Sequence, residues 1–276
     1  MLIRLICILS LFTSGMAAAY TDLSFFSTLL LCVGVWLGSF VVLALLAVAF
    51  LWLCCSRVDY DVPQEEDSTF YRKLAGVYIE ALIQLLQVRV HASGLEKTPK
   101  EGRFLLVCNH LFYADPGILL HYFKDSQLSF VSKQENRSLP FVGRIMHKIL
   151  CQLIDREDDR QALKTIINCI NLIKDDKCSI AVFPEGYCSS DGKLHPFRPG
   201  AFKIATKAKV PIVVCTIQNT RRIIQNALKL KPTDVQLHLV DVIGPEEYAG
   251  MKTTELSQKV YDRMIADLGY DFVPNT

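Results

Sequence analysis

The residues best suited to chemistry are His110 and Asp115, set in Asn109-His110-Leu111-Phe112-Tyr113-Ala114-Asp115-Pro116 directly after the apolar run Phe104–Cys108. A strand that ends in such a segment and opens into a helix is a common address for catalytic groups in α/β folds. Histidine titrates near neutrality, and a carboxylate beside it orients the ring and stabilises the imidazolium. His110 with Asp115 can therefore act as a general base on an alcohol. The same residues fit a plainer use, because Asp before Pro is also a standard helix N-cap followed by a helix-compatible residue. A second feature stands where Ser179–Val182 runs into Phe183-Pro184-Glu185-Gly186 and the polar stretch Tyr187–Gly192. Gly186 would let the backbone approach a ligand, and Glu185 could accept hydrogen bonds from substrate hydroxyls. The alternative there is an ordinary Pro- and Gly-marked turn.

Both features need a scaffold, and the hydrophobic pattern supplies one. Val88–His91, Phe104–Val107, Leu128–Val131, Ile180–Phe183, Val210–Thr216 and Val235–Ile243 read as strands, with helices near Pro116–Phe123, Asp158–Lys174, Gly200–Ala208 and Thr254–Leu268. Strands alternating with helices indicate an α/β domain built on one sheet. Upstream, Phe70, Leu74, Val77, Ala81, Leu82, Leu85 and Leu86 recur at helical spacing, with Ser68 as N-cap. The position beside an apolar segment, with Arg72 and Lys73 near the start, suits a helix lying on a membrane surface. It suits equally a helix packed on the domain.

Composition bounds the rest. The 276 residues carry 30 Lys and Arg against 28 Asp and Glu, a net charge of +2, and 51% are hydrophobic. That excludes a disordered chain and gives no reason to expect nucleic acid as a partner. The charge is unevenly spread, since only Arg4 and Asp22 are charged before Arg57. Two apolar runs, Leu2–Ala19 and Leu23–Cys55, flank the polar Tyr20-Thr21-Asp22. The second would be about 50 Å long as a helix, more than a hydrocarbon core of about 30 Å. The first is long enough to cross as well, which gives a helical hairpin, although Arg4 and Ala17-Ala18-Ala19 also fit a cleaved signal peptide. With Arg4 and Arg57 inside and Asp22 outside, the positive-inside rule places everything after Ser56 in the cytoplasm. The expected organisation is a membrane segment over 1–56, a linker and amphipathic membrane-proximal helix over 57–92, and a cytoplasmic domain over 93–276. The ten cysteines form no CxxC pair and the six histidines no zinc spacing, so free thiols and no metal are expected.

Taken together, Asn109-His110-x4-Asp115 and Phe183-Pro184-Glu185-Gly186 resemble the glycerolipid acyltransferase family, most closely its bacterial 1-acyl-glycerol-3-phosphate acyltransferases. The resemblance runs from about Val88 to Asp241. Gly143 through Ile154-Asp155-Arg156 is similar to the family's second block, whose arginine is implicated in binding the acceptor phosphate. Val210-Pro211-Ile212-Val213 is similar to the fourth block, associated with the acyl site. Phe197-Arg198-Pro199-Gly200-Ala201-Phe202 looks like the basic and small-residue segment after the third block.

The resemblance implies one mixed sheet flanked by helices, behind a membrane helix or hairpin. It further implies transfer of an acyl chain from a thioester to the sn-2 hydroxyl of 1-acyl-glycerol-3-phosphate, giving phosphatidic acid. His110 would be the base and Asp115 its orienter, while Arg156, Phe183, Pro184, Glu185 and Gly186 would bind substrate. No cofactor is implied beyond the co-substrate, acyl-coenzyme A or acyl carrier protein, and the acceptor lysophospholipid would lie in the cell membrane. The oligomeric state is open. One departure stands out: the third block usually continues with Thr or Ser and then Arg, and here reads Tyr187-Cys188-Ser189. A phosphate-clamping arginine is thereby lost. Lys133 or Arg198 could replace its charge, while Glu157, Asp158 and Asp159 could instead pair with Arg156. The departure also leaves room for another lysophospholipid or glyceride acceptor, or for a catalytically silent lipid-binding adaptor.

Overall fold

The computed structural model describes residues 1–274. The apolar N-terminal runs form α1 (Leu2–Ala19) and α2 (Phe25–Ser56), both long and apolar enough to cross a membrane. They pack antiparallel, with Thr13 Oγ1 3.0 Å from Ser39 Oγ and Ser14 Oγ donating to the Cys32 carbonyl at 2.9 Å. The acidic segment that follows is laid against the domain instead of bridging freely. Tyr60 donates to the Arg137 carbonyl, and Asp67 is buried in an ion pair with Arg72 at 2.6 Å.

Ser68 caps α3 (Thr69–Leu85), as its sequence predicts. This helix lies between the apolar hairpin and the domain. Leu74 packs with Leu51 and Cys55 of α2 on one side, and Ile83 and Leu86 reach the core under the sheet on the other. Tyr71 and Tyr78 donate to the Cys54 and Ala47 carbonyls of α2, at 2.9 and 2.5 Å. Packing on the domain therefore accounts for one face, while Phe70, Leu82 and Leu85 stay exposed.

From there the chain alternates strand and helix. In order it forms β1 (Val88–Ser93), β2 (Leu105–Cys108), α4 (Asp115–Tyr122), β3 (Leu128–Lys133), α5 (Val142–Lys148), β4 (Gln152–Ile154) and α6 (Asp159–Lys174). It continues with β5 (Ser179–Val182), α7 (Lys203–Ala208), β6 (Ile212–Gln218), α8 (Ile223–Ala227), β7 (Thr233–Ile243) and α9 (Thr253–Leu268). One mixed sheet results, in the order β1-β7-β6-β2-β5-β3-β4, with β6 and β7 antiparallel and every other neighbouring pair parallel. Because β1 pairs with β7 from Val88 onward, the sheet starts there and not at the expected boundary of 93. β4, α5 and α8 are additions to the expected elements, each too short to carry a clear period.

The central strands β2, β5 and β6 are buried on both faces, which is why they read as continuous apolar runs. Leu105, Val107, Ile180 and Val214 point toward α6, α7 and α9. Leu106, Cys108, Val213 and Ile217 point toward α4 and α8. A buried leucine or isoleucine of this kind contributes roughly 1.5–3 kcal/mol, so the sheet centre is the rigid part from which the strand ends project.

Candidate active site

Since β2 and β5 are parallel neighbours, with Val107 opposite Val182, their C-terminal ends open at one edge. The segments after them, Asn109–Asp115 and Phe183–Gly186, therefore lie side by side. Asn109 ties the first to the sheet, as its Nδ2 donates to the Ile217 carbonyl at 2.9 Å and its Oδ1 accepts from the Ile217 N–H at 2.8 Å. This clamp on β6 has no local signature in the sequence.

Asp115 opens α4 without capping it, because its side chain turns back over the preceding turn. Its Oδ2 accepts from the Leu111 and Phe112 N–H groups at 2.7 and 2.8 Å and lies 2.8 Å from His110 Nδ1. A carboxylate already accepting two backbone donors calls for a proton on Nδ1, which leaves Nε2 as the ring's acceptor. Asp115 is fully buried and His110 is partly open to solvent. Phe183 stacks on the imidazole with ring centres 4.1 Å apart, so it contacts the histidine and holds its plane.

Glu185 differs from expectation. It is 1% exposed, and both its oxygens are occupied: Oε1 accepts from the His110 N–H at 2.9 Å and Oε2 from the His195 N–H at 3.0 Å. It thus has no free edge for substrate hydroxyls and instead joins three segments of backbone. Burial pushes its carboxyl up to about 7, against the lowering effect of those two donors and the neighbouring histidines. Pro184 accepts through its carbonyl from the Arg198 N–H at 2.8 Å, which brings the segment after the third block onto the loop. Gly186 has φ +86°, and a Cβ there would meet Arg198 Nε at 2.8 Å, so the arginine crosses where only glycine leaves room.

Beside this loop is a cavity of about 520 Å³ whose lining includes Lys133, Arg156, Gly186, Tyr187 and Arg198. Glu135, Asp155 and Glu157 line it as well. Even so, among the described residues Arg156 forms no ion pair with an acidic neighbour. Burial first, and then the Arg198 charge, lower its affinity for its proton. Cations gathered this way suit a bound anion. Cys188, at the position where the family's third block has arginine, carries a thiol pushed up to about 11 by burial and by the Asp115 and Glu185 charges. It is a neutral thiol and not a poised nucleophile. The Val210–Val213 block lies at the opposite end of the sheet from His110, with Ile212 and Val213 fully buried as β6 begins.

Comparison with known proteins follows the same lines. The acyltransferase family model matches residues 89–218. The 1-acyl-sn-glycerol-3-phosphate acyltransferase of Borreliella burgdorferi is 25% identical over 182 residues, covering 64% of this chain and 72% of that protein. The enzyme of the same name from Saccharomyces cerevisiae is 26% identical over 67% of this chain and 63% of its own length. That from Salmonella typhimurium is 32% identical over 50% and 57%. The crystal structure of the acyltransferase PlsC from Thermotoga maritima shares the fold, with a TM-score of 0.57 at 24% identity over 71% of this chain and 80% of that one. The two motifs thus lie side by side at the edge of a sheet that shares the PlsC fold, and residues 89–218, from β1 to β6, match the acyltransferase family model.

Proposed function

We propose that the protein is a membrane-bound acyltransferase that moves an acyl chain from a thioester to the sn-2 hydroxyl of 1-acyl-glycerol-3-phosphate. The observation that carries this reading is the His110–Asp115 pair, joined through Glu185 to the loop whose Gly186 and Tyr187 line a cavity bearing Lys133, Arg156 and Arg198. His110 Nε2 takes the hydroxyl proton while the acceptor oxygen bonds to the thioester carbonyl carbon. The tetrahedral intermediate then expels the thiolate, which recovers the proton from the imidazolium. Asp115 holds the ring and balances its transient charge, and no covalent enzyme intermediate is needed. The cavity cations hold the acceptor phosphate, so Arg198 and Lys133 replace the arginine absent at Cys188.

The helices α1 and α2 anchor the chain in the bilayer with the domain on the cytoplasmic side, where a soluble thioester meets an acceptor resident in the leaflet. Acyl-coenzyme A and acyl carrier protein are both compatible donors. The test is acyl transfer by purified protein in liposomes, using labelled lysophosphatidic acid and a long-chain acyl-coenzyme A beside His110→Ala. Labelled phosphatidic acid from the unsubstituted protein alone is the expected result. Product only with a neutral or zwitterionic acceptor would move the substrate, and silence with every acceptor and both donors in folded protein would leave a lipid-binding adaptor.

A further inference from the structure

Between β6 and β7 the chain builds a projection that combines exposed leucines with unopposed positive charge. Residues 220–233 contain Arg221, Arg222, Lys229 and Lys231 and no carboxylate. All four cations are exposed, and among the described residues none forms an ion pair; Arg221 is turned back to donate to the Ser190 carbonyl, which leaves Arg222, Lys229 and Lys231 facing outward. Leu228 and Leu230 at the tip are each 82% exposed, and Ile224 is 45% exposed.

The projection is ordered by its own hydrogen bonds. The Leu228 N–H donates to the Ile224 carbonyl and the Leu230 N–H to the Ala227 carbonyl, both at 3.0 Å, and Asn226 Nδ2 donates to Thr233 Oγ1 at 3.1 Å. Leu230 has φ +53°, a left-handed backbone that disfavours any residue with a Cβ. A leucine held there, almost fully in solvent, gains nothing from packing inside the chain. Such a local conflict points to a surface that supplies the missing contact.

Its place in the fold indicates which surface. β6 is parallel to β2, so α8 and the tip project from the edge that carries His110. The Thr233 N–H donates to the Gln87 carbonyl at 3.1 Å, which sets the end of the projection beside the end of α3, where Leu82 and Leu85 are 54% and 65% exposed. Along α3, contacts step from Cys54 to Ala47 of α2, so Leu85 lies further along the apolar helix, away from its C-terminal end. Apolar hairpin, α3 terminus and tip thus share one side of the molecule. Three free cations with no carboxylate among residues 220–233 complement an anionic headgroup layer.

We propose that residues 222–231 are a second membrane contact, in which Leu228 and Leu230 enter the lipid and Arg222, Lys229 and Lys231 bind anionic phosphates around them. This rests on the reading of α1 and α2 as a membrane anchor. It would seat the His110 edge against the leaflet and make productive seating depend on anionic lipid. A soluble acidic protein would match the charges, but it would not need two leucines on the side that already faces the bilayer.

The test uses the full chain in nanodiscs of phosphatidylcholine with and without phosphatidylglycerol. The photoreactive p-benzoylphenylalanine is placed singly at Leu228, at Leu45 in α2, and at Lys209 beyond the opposite end of β6. Lipid adducts are expected at Leu228 and Leu45 and not at Lys209. The Leu228 yield should rise several-fold with phosphatidylglycerol and fall back on Arg222→Glu with Lys229→Glu and Lys231→Glu. Adducts at Leu45 without any at Leu228 overturn the contact and leave the anchor standing, while adducts at neither position remove both. Crosslinks from Leu228 to an added soluble protein in preference to lipid overturn it in favour of a protein partner. A second variant guards against misfolding of the probe proteins: Leu228→Ser with Leu230→Gly, which relieves the left-handed backbone. It should raise KM several-fold for a bilayer-embedded acceptor and leave KM for a short-chain, water-soluble acceptor unchanged. Equal KM values in vesicles would also overturn the proposal.

Discussion

The backbone N–H of His110 donates to Glu185 Oε1 at 2.9 Å across 75 residues of sequence. The other oxygen of the same buried carboxylate accepts from His195 at 3.0 Å. Two motifs on neighbouring strands and the loop after them are therefore held by one side chain. The His110 carbonyl in turn accepts from the Ser189 N–H at 2.8 Å, which closes the arrangement from the opposite side. His110 keeps its position because its backbone is pinned at both polar groups, and its ring is fixed separately by Asp115 and Phe183.

The ring itself comes first. His110→Ala should lower kcat by about 10²–10⁴-fold. Asp115→Asn should lower kcat with little change in KM, since an amide does not balance the imidazolium charge. It should also destabilise the turn, because Leu111 and Phe112 lose a charged acceptor. Steady-state kinetics beside thermal unfolding checks both, and an Asp115→Asn variant with normal kcat would remove Asp115 from the mechanism.

Glu185 gives a pH signature. Its carboxyl is raised from 4.5 to about 7, so between those values the native chain retains a proton that the unfolded chain has released. The native state binds more protons there, and this group's contribution to stability falls as pH rises through that window, then levels off. The change is on the order of 3 kcal/mol. Relative to Glu185→Gln, which does not titrate, the unsubstituted protein should lose Tm between pH 4.5 and about 7 in detergent solution. Parallel Tm profiles across that range would contradict this account.

The cavity cations predict an acceptor-selective defect. Arg156→Ala, Arg198→Ala and Lys133→Ala should each raise KM for lysophosphatidic acid by about 10–100-fold, the equivalent of one charge-assisted hydrogen bond. KM for a monoacylglycerol should stay unchanged. An equal rise for both acceptors would mean that the cavity does not read phosphate.

Gly186→Ala should reproduce the Arg198→Ala signature. The added methyl meets Arg198 Nε at 2.8 Å, and the φ of +86° resists any side chain. The expected result is a raised KM for the phosphate-bearing acceptor, with His110 and Asp115 chemically intact. A rise in KM for monoacylglycerol of the same size would instead indicate collapse of the whole loop.

Asn109→Ala removes two buried hydrogen bonds to Ile217 and leaves a backbone donor and acceptor unpaired. The cost should be about 2–4 kcal/mol. Because the clamp sets the start of the His110 turn, kcat should fall along with Tm. Unchanged denaturation would show that water replaces the clamp.

The features legible before folding lie within short stretches of chain. Apolar runs marked the central strands, because burial on both faces demands continuous hydrophobicity, and marked α1 and α2 as helices long and apolar enough to cross a membrane. His110 and Asp115 are five residues apart, so one turn suffices to join them. Other decisions were tertiary. The side chain of Glu185 looked free to meet substrate, and only the parallel pairing of β2 and β5 brings the His110 N–H onto it. Lys133, Arg156 and Arg198 come from three separate segments and meet because the ends of β3, β4 and β5 share one edge. The three-residue β4 had too few side chains to show a period, and Asn109 gave no local sign of its partner on β6. A pattern in sequence reports which face a residue must bury, whereas convergence of charges depends on the order and direction in which strands pair, and no short segment encodes that alone.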